Sequence, residues 1–272
     1  MAQNGQVPVT FSRHGHKYWT RFTSYKFAAN HTECTIVQPE VRQAAASFPI
    51  LFKQSAWGFE PVVLFSVFPY APNPFVSLDG RWLAGYVPSE LRCFPFLAEP
   101  VKQNSADQTP LYQLKVDETS GRLSNDPNHE AFFDGTDTLS PALREVQAFL
   151  QARASAQEKT VALCSIINGL GLFEPIATHD GVDLPSNMFG ISAQRLKSIS
   201  AVDKLKLVEF DAFLLIHAHQ ISLSHCEWLV RAQQQLVQQK TPEKYTESSD
   251  ISGFLHAVVN AQNDDFLGTS EV

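Results

Sequence analysis

The feature that most constrains this chain is a change of periodicity near Thr138. Upstream of it, from about residue 21 to 135, apolar residues come in short runs closed by Pro, Gly, Asn or Asp. Tyr25–Ala28, Cys34–Gln38, Ile50–Lys53, Pro61–Phe68 and Phe75–Leu78 have the length and the Val, Ile and Phe content of strands. Asp79-Gly80 predicts a hairpin turn between Phe75–Leu78 and Arg81–Tyr86, and Leu111–Val116 predicts a further strand ending in a turn at Asp117–Gly121. Seven prolines between residues 61 and 100 predict short strands, edges and bends, because a proline cannot donate to a ladder.

Downstream the apolar spacing becomes helical. Ser140-Pro141 reads as an N-cap followed by proline at the first helical position. Leu143, Val146, Phe149 and Leu150 continue one helix, and Gln157–Leu170 predicts a second, stopped by Gly169 and Gly171. Ser192 caps a third, through Ile199. A fourth pattern runs from Val202 to about Val237, with Leu207, Phe210, Leu214, His217 and Ile221 as its buried stripe. The expectation is an α+β protein, β-rich over 21–135 and helical over 139–240. With no Gly/Ser-rich linker between the parts, it is expected to share one continuous core. Residues 1–20 read as a flexible arm and 241–272 as an acidic C-terminal tail.

Charge and cysteine usage exclude several functions. The net charge is −7, and residues 241–272 carry −5 of it, six acids against Lys244 alone. No basic run or stripe is present, so binding nucleic acid through its phosphates is not expected. No apolar stretch reaches the 18 or so residues that span a bilayer. The N-terminus shows no apolar secretory core, which predicts a cytoplasmic protein. Cys34, Cys93, Cys164 and Cys226 are scattered singly, as reduced core cysteines are.

The candidate chemistries are weak. His217 and His219 diverge by about 200° on a helix, so they cannot both ligate one ion, and His217 reads as a core histidine. His31-Thr32-Glu33 fits half of a facial iron triad, but one such match is the chance expectation. Gly169-Leu-Gly171 follows a helix and is a cap, not a phosphate loop. Cys226 beside His225 is no nucleophile pair, since helical neighbours diverge by about 100°. The outstanding stretch is Trp57 to Phe96, where Trp57, Phe59, Phe65, Phe68, Tyr70, Phe75, Trp82, Tyr86, Phe94 and Phe96 interleave with Pro, Arg81 and Arg92. Trp, Tyr and Arg dominate binding hot spots, although a packed β core has the same composition.

Within that stretch the chain resembles a known family. Trp57-Gly-Phe-Glu-Pro-Val-Val-Leu-Phe, then Asn73-Pro-Phe-Val-Ser-Leu-Asp-Gly-Arg-Trp-Leu-Ala-Gly-Tyr-Val-Pro, then Leu91-Arg-Cys-Phe-Pro-Phe, are similar to the bacterial SapC family. The likeness runs over about 45–230 and ends at His219-Gln-Ile-Ser-Leu. Cys93 stands where the family usually has a second arginine. The resemblance carries over no catalytic residue. The family's name comes from a surface-layer gene cluster. Its genes neighbour those of TonB-dependent receptors, cupin-like proteins and flavin-dependent tryptophan-halogenase-like proteins.

These readings lead to a binding or accessory protein acting with such modification enzymes or with TonB-receptor-linked systems. Its ligand would be a peptide or a small aromatic or carboxylate molecule. The expected binding residues are Trp57, Phe59, Asn73, Phe75, Arg81, Trp82, Tyr86, Arg92, Phe96 and His219. The alternative is an enzyme of unfamiliar type, a flavin- or iron-linked oxidoreductase; no motif assigns a cofactor.

Overall fold

The structure, a computed structural model, describes residues 5–69, 71–100 and 112–240. Its strands up to Thr138 are β1 (Gln6–Pro8), β2 (Tyr18–Trp19), β3 (Glu33–Thr35), β4 (Ile50–Ser55), β5 (Gly58–Leu64), β6 (Phe96–Pro100), β7 (Tyr112–Asp117), β8 (Leu123–Ser124) and β9 (Glu130–Ala131). The short helices α1 (Phe11–His14), α2 (Val41–Ala45) and α3 (Ser89–Arg92) lie among them, and the long α4 (Pro141–Gly169) follows. Then come β10 (Phe173–Pro175), β11 (Thr178–His179), β12 (Val182–Asp183) and β13 (Met188–Ile191). The chain continues through α5 (Ala193–Ser198), α6 (Ala201–Glu209), α7 (Ala212–Ser222) and α8 (His225–Lys240).

The α+β class holds, with one revision: the helical part returns two strands, β10 and β13, to the main sheet. That sheet is antiparallel, in the order β10-β13-β4-β5-β3. Its centre is the β4–β5 hairpin, in register from Ser55↔Gly58 to Ile50↔Val63. Gly58 sits at φ +124, a conformation that favours glycine. Ile50, Leu51, Phe52, Val62, Val63 and Leu64 are buried, as a central strand covered on both faces requires. β13 pairs with β4 at Phe189↔Phe52, although 137 positions separate the two residues.

Residues 5–20, expected as a loose arm, are ordered instead. β1 pairs with β7, β2 lies between β8 and β9, and Val7, His14 and Trp19 are buried. Each of these strands is too short to show alternation; pairing with distant strands fixes them. Tyr25–Ala28 is a 3₁₀ turn over Lys26–Ala28 rather than a strand. Asp79-Gly80 does make its turn, with Gly80 at φ +91 and its carbonyl accepting from Tyr25 N at 2.7 Å. The strands beside it reduce to the single bridge Val76↔Trp82, because the Ser77 and Asp79 side chains take up the turn's donors. Leu111, the start of one expected strand, lies outside the described residues, as does Tyr70.

The two helices expected over 140–170 are one helix of 29 residues. Ser140 Oγ accepts from Leu143 N at 3.2 Å and Pro141 opens the first turn. The middle, Gln151–Glu158, is built from Ala, Gln, Arg and Glu, all good helix formers, with Ser155 as its one weaker residue, so nothing breaks it. Gly171, at φ +64, closes the end. The fourth helical pattern divides instead into α6, α7 and α8, turning at Asp211 (φ 52) and at Leu223-Ser224.

The core, expected to be continuous, lies in two clusters that α4 spans. Leu143 and Leu150 belong to one, with Val7, Trp19, Phe96, Val116, Phe132 and Phe133. Leu163, Cys164 and Ile167 belong to the larger one, with the main sheet, α7 and the first turns of α8. Phe48, Phe52, Phe65 and Phe132 are fully buried, each stabilising the fold by about 1.5–3 kcal/mol. Between its two buried ends, α4 passes over the polar ground where the candidate site lies.

Candidate functional site

A cleft of about 380 Å³ opens where α3 and the turn before α2 meet the middle of α4. Its lining includes Glu40, Tyr86, Ser89, Arg92, Phe149 and Arg153. Pro88 precedes α3 in an extended conformation (φ −54, ψ 142) and turns the chain so that Ser89 faces inward and Arg92 outward.

The acid of this cleft, Glu40, and the neighbouring Glu90 both accept from internal donors. Glu40 is 5% exposed, and its Oε1 accepts from Val37 N at 3.0 Å. Its Oε2 accepts from the Tyr86 hydroxyl at 2.8 Å and from Ser89 N at 2.9 Å. Burial, and then the hydrogen bond to Glu40, push the Tyr86 hydroxyl well above its ordinary pKa, so it stays a donor. Glu90 Oε2 accepts from Thr35 N at 2.9 Å, from the Thr35 hydroxyl, and from Arg153 Nη2 at 3.3 Å.

The arginines are only partly engaged. Arg92 Nε donates to Val87 O at 2.8 Å, and its guanidinium lies 4.9 Å from the Tyr86 ring centre. Arg153 Nε donates to Ser89 Oγ at 3.0 Å, and its Nη2 donates to Thr35 O and Thr35 Oγ1 at 3.2 and 3.0 Å. Neither Arg92 Nη1 and Nη2 nor Arg153 Nη1 has a hydrogen-bond partner among the described residues. The free capacity on these two arginines is donor capacity, carried on planar cations beside an aromatic ring. That set suits a carboxylate attached to a ring or another apolar group.

On the other side of α4 is a second cleft, of about 500 Å³, which shares Arg153 and is lined by Trp57, Glu60, Tyr112 and Val161. Trp57 stands at the tip of the β4–β5 hairpin, 74% exposed.

The expected binding residues thus separate. Tyr86 and Arg92 come together in the first cleft, and Trp57 edges the second. Arg81 is exposed on its turn, 2.8 Å from Asp79 Oδ2, and lines neither cleft. Trp82 is half-buried, its indole N–H donating to Tyr86 O at 2.7 Å, so it braces the cleft from behind. Phe59, Phe75 and Phe96 are buried core rings. Asn73 is buried and ties loops together, donating to Ala28 O and accepting from Phe75 N.

His219 is buried as well. Nδ1 donates to Ile50 O at 2.7 Å, and Nε2 accepts from Ile191 N at 3.1 Å. Burial pushes its pKa down to about 4. Gly190 leaves room for the ring: an added Cβ would meet His219 Nε2 at 3.3 Å. His219 is thus the core histidine expected at His217, and His217 is exposed.

Other chemistries find no support in the donor groups. Burial pushes the Cys93 thiol up to about 11 and those of Cys164 and Cys226 up to about 12, so none is an activated thiolate. His225 Nε2 is bound to Ala45 O, not to the neighbouring thiol. Among the described residues no three His, Cys, Asp or Glu side chains are grouped to hold a metal ion, so an iron site does not fit them. No helix among them is long and apolar enough to cross a membrane.

The sequence reading missed Glu40, Ser89 and Arg153. The one available signal for Arg153 was the polar interruption in the helical pattern at Gln151–Glu158, which marks where α4 leaves both core clusters.

Comparison with curated proteins and with solved structures returned no match. The SapC family profile matches residues 9–229, starting well before the segment that carried the resemblance and taking in α1 and β2. It covers the cleft, both core clusters apart from Val7, and every strand from β2 to β13. The chain belongs to the SapC family.

Proposed function

We propose that this is a binding protein whose ligand, a small aromatic carboxylate or the same group borne on a peptide, occupies the cleft between Arg92 and Arg153. One observation carries the reading: the cleft's carboxylate, Glu40, is held by three internal donors, while among the described residues three guanidinium nitrogens, on arginines 61 positions apart, have no partner. Its volume of about 380 Å³ falls within the range of small-molecule sites. The wider role, a cytoplasmic accessory to halogenase-like or cupin-like modification enzymes, rests on the family resemblance.

Benzoate is the minimal probe. Isothermal titration should give a Kd on the order of 1 mM, ordinary for so few atoms. Arg92→Ala should weaken this at least about tenfold, the loss expected for one charge-assisted hydrogen bond. Arg81→Ala should leave it unchanged. Equal affinity in wild type and Arg92→Ala, or no binding to wild type, would overturn the assignment.

A further inference from the structure

The apolar face of α6 points the wrong way for an ordinary surface helix. Leu207 is its one buried residue, whereas Val202, Leu205 and Val208 are 64%, 67% and 62% exposed. They step by three, so neighbours lie about 60° apart and form one stripe. Phe210 just beyond α6 and Ile221 on α7 are also exposed, at 49% and 69%. Five of the eight large hydrophobic residues exposed in the described chain thus fall within 202–221. Exposed apolar groups gathered in this way mark an interaction surface rather than the usual scatter. Exposed Lys197, Lys204 and Lys206 accompany the stripe; among the described residues only Lys206 is paired with a carboxylate, Asp203.

We propose that residues 251–259 of the same chain cover this face. In that stretch Ile251, Phe254, Leu255, Val258 and Val259 recur at i, i+3, i+4, i+7 and i+8, the spacing of one helical face. Nine helical residues are about 13.5 Å long, the length of the nine-residue α6. The charges complement each other: Asp250 precedes the stretch and Asp264 and Asp265 follow it, opposite the lysines of α5 and α6. A second copy's α6 would bring the same lysines, not their complement. The ten residues between Lys240 and Ile251 can span up to about 33 Å. Tethering at that length gives an effective concentration in the millimolar range, enough for a modest apolar contact to be occupied.

Hydrogen–deuterium exchange on the full chain tests this. In wild type the amides of 251–259 should exchange at least about tenfold more slowly than in a free peptide. Leu205→Asp, at an exposed position, should abolish that protection while the thermal midpoint stays within a few degrees. Phe254→Asp/Leu255→Asp should in turn speed exchange in α6. Free-peptide exchange of 251–259 in wild type would overturn the proposal, and so would protection that survives Leu205→Asp. Two further results would assign the face to another occupant and equally overturn it. One is a wild-type dimer whose dilution deprotects 202–221. The other is protection of α6 that appears only with phosphatidylglycerol vesicles.

Discussion

His219 shows how one residue can be at once the most suggestive and the least available for chemistry. Its ring joins α7 to β4 and β13, with both nitrogens used and a pKa near 4. Between about pH 6.5 and 4 the unfolded chain binds this proton and the folded chain does not. Stability is therefore full above pH 6.5 and falls as the pH drops through that window, by up to about 3 kcal/mol. His14, whose pKa burial also lowers, acts in the same direction. Urea midpoints measured at pH 7 and pH 4.5 should show the loss, and His219→Leu, less stable throughout, should show a shallower slope. An unchanged slope in that variant would place the proton elsewhere. The helical period located a face containing His217 but not which side of it is buried. The break at Asp211 resets the phase between α6 and α7, so one stripe read across both helices could not hold.

At the scale of elements, legibility followed local self-sufficiency. β4, β5 and the Ser140-Pro141 start of α4 are encoded by apolar runs and a cap; β4 and α4 start where the sequence put them, and β5, expected over Pro61–Phe68, overlaps that run but lies earlier, over Gly58–Leu64. β13 was missed because Met188–Ile191 is four residues long and contains Gly190; only its long-range pairing to β4 makes it a strand. The cleft itself depends on such pairing. Arg153 reaches it from α4 and joins β3, through Thr35, to α3, through Ser89 and Glu90. No spacing rule connects residues 35, 89 and 153. The two arginines should therefore behave differently on substitution. Arg153→Leu removes several hydrogen bonds from a half-buried guanidinium and should cost about 1–3 kcal/mol as well as ligand binding. Arg92→Leu, on the exposed side, should lose binding with a midpoint shift of no more than a few degrees. Thermal melts beside benzoate titrations separate the two roles. Equal stability losses in both variants would make the cleft scaffold.

For the whole molecule, α4 decides whether two core clusters behave as one body. Its N-terminal half buries Leu143 and Leu150 in one, and its C-terminal half buries Leu163 and Ile167 in the other. Losing either cluster would strip one flank of a 29-residue helix, so calorimetry should show a single transition with matching calorimetric and van't Hoff enthalpies. Two resolved transitions would mean that the clusters fold separately. The same geometry puts the polar middle of the helix, and with it Arg153, at the gap between the clusters, where a ligand could reach it. Binding of a carboxylate between Arg92 and Arg153 is tested most directly by following the arginine Nε–H resonances by NMR during a benzoate titration. Arg92 and Arg153 should shift along one common isotherm while Arg81, on its turn outside the cleft, does not move. Shifts at Arg81 without Arg92 and Arg153, or at none of the three, would contradict it.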